Sequence, residues 1–344
     1  MKYKNISKLA TAALALLLSG TSSQAAPVES NNIDAAAKWL IHIDFDSLLD
    51  TEIAQHVLDQ NPKLSDQKLE ALKNIIGIDF KTGLHGATIY GNGQPDNGVL
   101  ILHADAKPDV LINFAKLNDE YREEKFQDHI IHNLPDDKKP GKRNYICFYT
   151  NKKIVIGPSS TLVKECIQLL NGDRDSKPVN HEMEELNRYQ PAPFLIAYGD
   201  FSALHKEGNH NKAATFKQAK RMGLSIGEHG GNIKSILVIT AKNIEVATQI
   251  ENFLRGIIAI GQLSGEKHPH LATLANAAKI SKKDPEIIAI ETELPTSTLI
   301  SVGHAMKEHK KKKMERAGLN DAGKSEGKKK KNRKRKQQSE ENSE

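Results

Sequence analysis

The chain has 344 residues and a formal net charge of +6, and this charge is concentrated at its two ends. Residues 307–344 hold 15 Lys and Arg against 7 Asp and Glu, a net +8, and residues 1–25 contribute +3, so the part between them carries −5. A mildly acidic body argues against a nucleic-acid-binding domain, because such domains carry a basic surface. With only two cysteines, a framework of several disulfides is excluded.

The first 25 residues are typical of a secretory signal peptide. Three lysines precede an apolar run from Leu9 to Leu18, and small residues follow up to Ala25, where we expect cleavage. The run is about half as long as a membrane-spanning helix requires. We therefore expect an exported protein that is periplasmic, envelope-associated or secreted and has no transmembrane span after cleavage.

Residues 37–172 show the pattern of a first α+β domain. WLIHIDF (39–45) predicts a buried strand, and the apolar spacing after it predicts a helix that Asp46 caps. Breaker residues at 93–98 and at 151–153 each predict the turn of a β-hairpin. Pro108 is placed to open one helix, and another is expected between a cap at Ser159 or Ser160 and a stop at Gly172.

The rest of the chain repeats this order of elements. Residues 173–192 are polar and rich in breakers, which indicates a linker, and residues 193–306 again alternate apolar strands with amphipathic helices. The sequence thus predicts an α+β protein of two similar domains, each an antiparallel or mixed sheet with helices packed on one face. Residues 307–344 are nearly devoid of apolar side chains, so a disordered basic tail is expected.

The string WLIHIDFD (39–46), soon after a signal peptide, resembles the start of a group of uncharacterised exported bacterial proteins. The resemblance extends loosely over residues 37–305. It implies export and a duplicated α+β module, and it implies no activity and no site residues.

One motif in the tail suggests a nucleotide-binding site. GLNDAGKS (318–325) satisfies the phosphate-loop pattern. The sequence around it, however, predicts neither the buried strand before the loop nor the amphipathic helix after it that would direct its backbone amides at a phosphate. We interpret the match as chance and expect no cofactor. The tail is expected to bind an anionic surface or polyanion without sequence-specific nucleic-acid recognition. The cations expected to make these contacts are Lys310, Lys311, Lys312, Lys313, Lys328, Lys329, Lys330, Lys331, Arg333, Lys334, Arg335 and Lys336.

The two cysteines lie in apolar patterns. Cys147 belongs to a strand-like run and Cys166 to the apolar stripe of the following helix. A disulfide between them is compatible with export, and so is a role as two small core residues. Both alternatives stay open, while a nucleophilic role is disfavoured because neither position is basic or exposed.

Acids and histidines offer weaker candidates for chemistry. Asp44 and Asp46 have the spacing of paired carboxylates on a strand, although a helix cap is the simpler interpretation, and Asp200 occupies the equivalent corner of the second half. His129 and His132 are three apart on a strand and should point to opposite faces. We therefore expect no catalytic residues and no metal site.

These observations favour an exported, non-enzymatic binding or scaffolding protein of the cell envelope or exterior. Two alternatives remain: a hydrolase-like enzyme with its site in a cleft between the two halves, and a periplasmic chaperone or inhibitor that binds by strand addition. A binding module should expose a broad surface or a sheet groove, whereas an enzyme needs polar side chains from both halves in one pocket.

Overall fold

A computed structural model describes most of the chain. The described residues are 28–60, 70–71, 73–74, 77–136, 140–177, 186, 193–201, 218–266, 268–305 and 307–308. The described residues up to Thr296 belong to one compact unit, and residues 297–305 and 307–308 are helical and belong to a second. The predicted signal peptide lies outside the described residues, as do the phosphate-loop motif, all the tail cations named above and most of the predicted linker.

Twelve strands form one antiparallel sheet. They are β1 (Trp39–Asp44), β2 (Leu84–Gly91), β3 (Gly98–Ala104), β4 (Arg122–Phe126), β5 (His129–Pro135), β6 (Arg143–Thr150), β7 (Lys153–Gly157), β8 (Leu195–Asp200), β9 (Ala219–His229), β10 (Asn232–Ala241), β11 (Lys279–Asp284) and β12 (Ile287–Pro295). Their order across the sheet is β11-β12-β10-β9-β8-β1-β2-β3-β7-β6-β5-β4. The predicted α+β class is confirmed, and the strands of both predicted halves share this sheet because β1 pairs with β8.

Six α-helices with defined bounds accompany the strands in the described part of this unit, where residues 70–71 and 73–74 are helical as well. They are α1 (Phe45–Leu49), α2 (Glu52–Asp59), α3 (Pro108–Ala115), α4 (Ser160–Asn171), α5 (Ile244–Leu263) and α6 (Pro269–Ala277). Pro108 opens α3, the Ser159 hydroxyl caps α4, and Gly172 ends α4 with a φ of 82°, all as the sequence predicts.

The predicted cap at Asp46 is wrong. The Asp44 carboxylate caps α1 instead, because β1 ends at Asp44 and its Oδ1 accepts a hydrogen bond from the Ser47 amide at 2.9 Å. The single helix expected after β1 is divided into α1 and α2. A new cap at Thr51, whose hydroxyl accepts from the Ala54 amide, starts the second helix.

Helices and loops cover the two faces of the sheet differently. One face, which we call the covered face, packs α4 against side chains on strands from β5 across to β12, including Leu40, Tyr198 and Val238. On the opposite face, which we call the open face, two smaller cores lie apart from each other. Phe45 and Phe80 cover β2, β3, β6 and β7 in one of them, and Ile250 of α5 packs on β10 and β12 in the other. The middle of the open face lies between these two cores.

Candidate functional site

The two cysteines are buried in the core of the covered face as free thiols. Burial raises the pKa of the Cys147 thiol to about 12, and the pKa of Cys166 is raised to about 12 by burial as well. Both side chains therefore stay protonated at neutral pH and pack as small apolar residues.

The two acids after β1 hold different partners. Asp44 Oδ2 accepts from the Ser47 hydroxyl at 3.0 Å in addition to the cap, whereas Asp46 Oδ2 lies 3.1 Å from Nδ1 of His85. The other ring nitrogen of His85, Nε2, lies 3.3 Å from Oδ2 of Asp105. The two carboxylates thus serve separate structural contacts instead of forming a pair.

His129 and His132, singled out in the sequence, have different partners, and His268 and His270 belong to another part of the chain. His129 stacks on Tyr149, and the Nδ1 atom of His132 lies 2.6 Å from the Tyr121 hydroxyl. His268 and His270 lie at the start of α6. Among the described residues, no group of three or more His, Cys, Asp or Glu side chains has an arrangement that could hold a metal ion.

A small cleft on the covered side is lined by charged residues of the first half. Asp34 accepts a hydrogen bond from the Arg174 guanidinium, and a second nitrogen of that guanidinium lies 3.7 Å from Glu165. The Arg174 cation therefore pairs with both carboxylates. Like the His85 cluster, the cleft includes no residue of the predicted second half, whereas the enzyme alternative requires residues of both halves.

The middle of the sheet distributes polar and apolar side chains in an unusual way. On the covered face, a row that crosses β2, β1, β8 and β9 consists of Thr88, His42, Ile196 and Ser225, all of them buried. His42 Nδ1 lies 2.8 Å from the Thr88 hydroxyl, so these two buried groups satisfy each other. The polar side chains of this row are therefore buried.

The open face of the same four strands is apolar throughout three consecutive rows. Side chains of successive residues point to opposite faces of a strand, so the strand registers place all twelve positions on this face. We call this surface the central floor. Its rows are Gly91–Trp39–Gly199–Met222, Ile89–Ile41–Ala197–Leu224 and Ala87–Ile43–Leu195–Ile226.

The middle row of the central floor is not covered by the described helices. Ile41 is 40% exposed and Ile89 is 37% exposed, and none of the four residues of this row belongs to a core cluster. A contiguous exposed apolar surface of this kind is characteristic of a binding site, whereas single exposed apolar residues are ordinary.

Elements border the central floor on two sides, and we call the space between them the groove. The core around Phe45 borders it on one side and α5 borders it on the other, while β2 and β9 lie about 14 Å apart, which corresponds to three strand spacings. One end of the groove is crossed by the start of α2, because the Glu228 carboxylate of β9 accepts hydrogen bonds from the amides of Glu52 (3.1 Å) and Ile53 (3.5 Å).

Polar groups lie at the same end of the groove. His85 lies two residues before Ala87 on β2, beyond the last row of the floor. It contacts Asp46 and Asp105. The Lys152 ammonium lies 3.7 Å from Asp105 and is largely exposed. The groove therefore combines an apolar floor with a charged end.

A second apolar surface lies on α5 and α6. Its large side chains are between 39% and 86% exposed, and none of the residues from 255 to 263 is buried. We call this surface the apolar tip, and it consists of Phe253, Ile257, Ile260, Leu263 and Leu271. No helix among the described residues combines the length and apolar character that a membrane crossing would need.

Neither surface is predicted from the sequence, although the strand patterns hold a signal for the first. WLIHIDF and FLIAYGD (194–200) are apolar at neighbouring positions, so both faces of β1 and β8 carry apolar side chains. This pattern is typical of a strand covered on both faces. The register that brings these residues next to Ile89 and Leu224 cannot be read from the separate strands.

Comparisons with known proteins identify no relative in sequence. No protein-family model and no curated protein matches the chain. Three solved structures, described as crystal forms III, I and IV of TP0453, match at 10%, 11% and 10% identity with TM-scores of 0.44, 0.43 and 0.43. The matches cover 80%, 80% and 81% of this chain and 98%, 97% and 96% of those chains.

Proposed function

We propose that the mature protein is an exported, non-enzymatic binding protein that holds a single-chain amphiphile, such as a fatty acid, in the groove above the central floor. The observation that carries this proposal is the inverted distribution on the four middle strands, with His42 and Thr88 buried and Ile41 and Ile89 exposed. Exposing the apolar face is unfavourable by about 25 cal/mol for each Å² of apolar surface, and a ligand that covers it recovers this free energy.

The chemistry of the floor favours an acyl chain over a peptide. The backbone groups of the four floor strands are engaged in the sheet, and among the twelve floor positions only the indole N–H of Trp39 is a hydrogen-bond donor. A peptide laid on the floor would leave its own amides and carbonyls without partners, which is costly. An acyl chain has no such groups, and its polar end can lie near His85 and Lys152.

Strand addition has less support at the edges of this sheet. The two edge strands are β4 and β11, with the sequences REEKF and KISKKD. Charged side chains, lysines above all, are the usual means by which proteins protect an edge strand from pairing.

Binding of a dansylated fatty acid, followed by its fluorescence, tests the proposal. We expect saturable binding to the mature chain, competition by unlabelled fatty acid, and a loss of more than tenfold in affinity for Ile41→Asp, because a carboxylate in the floor would be desolvated by the ligand. Ile130→Asp is the matched control, since Ile130 is 48% exposed on β5, five strands away from β1. Equal affinities of the two variants would refute the proposed site.

We expect the basic tail to hold the exported protein on an anionic surface. Residues 307–344 carry a net +8, and each basic residue near an anionic surface contributes about 1 kcal/mol to attraction. Removal of residues 307–344 should abolish salt-sensitive retention on heparin and leave the far-UV circular dichroism unchanged. Retention that survives this deletion would contradict the tether.

A further inference from the structure

The helical pair α5–α6 continues beyond the core that it helps to form. The buried residues of α5 are Val246, Ala247, Ile250 and Leu254, all in the first twelve of its 20 residues. The remaining part of α5 packs on α6, where Gly261 allows a close approach: a Cβ placed on Gly261 would lie 2.8 Å from Cβ of Ala275. The second half of α5 thus projects from the sheet with α6 as its support.

This projecting half carries one broad apolar face. Residues 256–265 have the sequence GIIAIGQLSG and contain no charged residue. Ile257, Ile260 and Leu263 are 48%, 70% and 86% exposed, and at 100° for each residue they point in directions spread over about 120°. Leu271 of α6 adds a further side chain that is 46% exposed.

We propose that the apolar tip inserts into the interface of an anionic lipid bilayer. Ile257, Ile260 and Leu263 form one exposed apolar face, which is the feature that an interfacial helix buries in lipid. This proposal specifies a lipid bilayer as the anionic surface of the proposed function, and it rests on the proposed export. It does not depend on what the central floor binds.

The charge of the chain supports lipid as the occupant. The part between the leader and the tail carries −5, so an anionic bilayer repels it, and the tail with its net +8 overcomes this repulsion. Apolar insertion and a basic segment are two weak signals that together give stable attachment to a membrane. Phosphatidylglycerol supplies both an anionic head group and an apolar interior.

Flotation of the mature chain with vesicles of phosphatidylglycerol and phosphatidylcholine tests the inference. We expect wild type to float, and Leu263→Asn and Ile260→Asn each to lower the partition coefficient by about tenfold or more, because each removes a large apolar side chain from the lipid. Leu117→Asn is the matched control: Leu117 is 79% exposed just beyond α3, and its replacement should leave flotation unchanged.

A tryptophan reporter measures insertion directly. In Leu263→Trp, fluorescence should be quenched by lipids brominated on their acyl chains. In Leu117→Trp, quenching should not exceed that of wild type, whose single tryptophan is Trp39. Equal flotation of Leu263→Asn and Leu117→Asn, or the same quenching at both reporter positions, would overturn the proposal. So would a lipid-free dimer that Ile260→Asn dissociates in sedimentation velocity, because a second copy would then cover the tip.

The same variants separate this inference from the ligand of the central floor. Ile41→Asp should lose the dansylated fatty acid and still float with vesicles, whereas Leu263→Asn should bind the fatty acid normally and fail to float. Loss of fatty-acid binding in Leu263→Asn would place the probe on the tip and would contradict the floor as its site.

Discussion

Ile41 of β1 lies directly opposite Ile89 of β2, and both side chains are more than one third exposed although their strands are in the middle of a twelve-stranded sheet. Branched apolar side chains that lie opposite each other stabilise strand pairing, but this pairing does not explain why the two side chains are exposed to solvent. On the other face of the same strands, His42 and Thr88 are buried and bonded to each other. The buried face of these strands therefore carries polar side chains and the exposed face carries apolar ones, and this inverted distribution defines the groove.

The first prediction separates the stability of the fold from the role of the floor. Ile41→Thr should change the free energy of unfolding by less than about 1 kcal/mol, because Ile41 is 40% exposed and threonine suits a strand. Its neighbour Leu40 is 1% exposed on the covered face, and Leu40→Ala should cost about 2–5 kcal/mol. Urea unfolding followed by circular dichroism measures both values, and equal losses would mean that Ile41 is buried in solution.

The local elements of this fold could be predicted where apolar period and breakers agree. Pro108, Ser159 and Gly172 mark helix boundaries at the positions that the sequence indicates, because each acts through its own backbone or side-chain geometry. The edge strands β4 and β11 are not predicted, because charged residues replace the alternation of apolar and polar residues that is typical of a strand. The sequence predicts Asp46 as the cap of α1, two residues after the observed cap Asp44, because the two aspartates are chemically equivalent candidates.

The candidate site depends on long-range pairing, which no local pattern contains. Ile41 and Leu224 lie on one surface only because β8 is inserted between β1 and β9, and the sequence gives no sign of that pairing. The tip was hidden for another reason. Residues 256–263 have the composition of a buried helix, and only the structure shows that α5 extends beyond its core.

The second prediction concerns the two glycines of α5. Gly256 has open space where a Cβ would lie, so Gly256→Ala should stabilise the protein by about 1 kcal/mol through helix propensity. Gly261→Ala should gain less or destabilise, because its Cβ would lie 2.8 Å from Cβ of Ala275 and push α6 away. Thermal unfolding of the two variants gives the comparison, and an equal gain from both would show that α5 and α6 do not pack closely.

The third prediction is a loss of stability in mild acid caused by His103 of β3. Burial, and next the Lys153 ammonium nearby, lower the pKa of His103 from 6.5 to about 4. The unfolded chain therefore takes up a proton at a higher pH than the folded chain. The stability that neutral His103 contributes is complete above about pH 6.5 and decreases as the pH falls toward 4.

Urea unfolding of wild type and His103→Gln at pH 7, 5.5 and 4.5 tests this prediction. Glutamine keeps a polar side chain of similar length but does not titrate, so the variant should lose less stability than wild type between pH 7 and 4.5, by on the order of 2 kcal/mol. Acid effects from other groups, including His132, whose pKa burial also lowers, act on both proteins and cancel in the difference. Parallel curves for the two proteins would mean that His103 titrates alike in the folded and unfolded chain, and the buried position of His103 beside Lys153 would then be wrong.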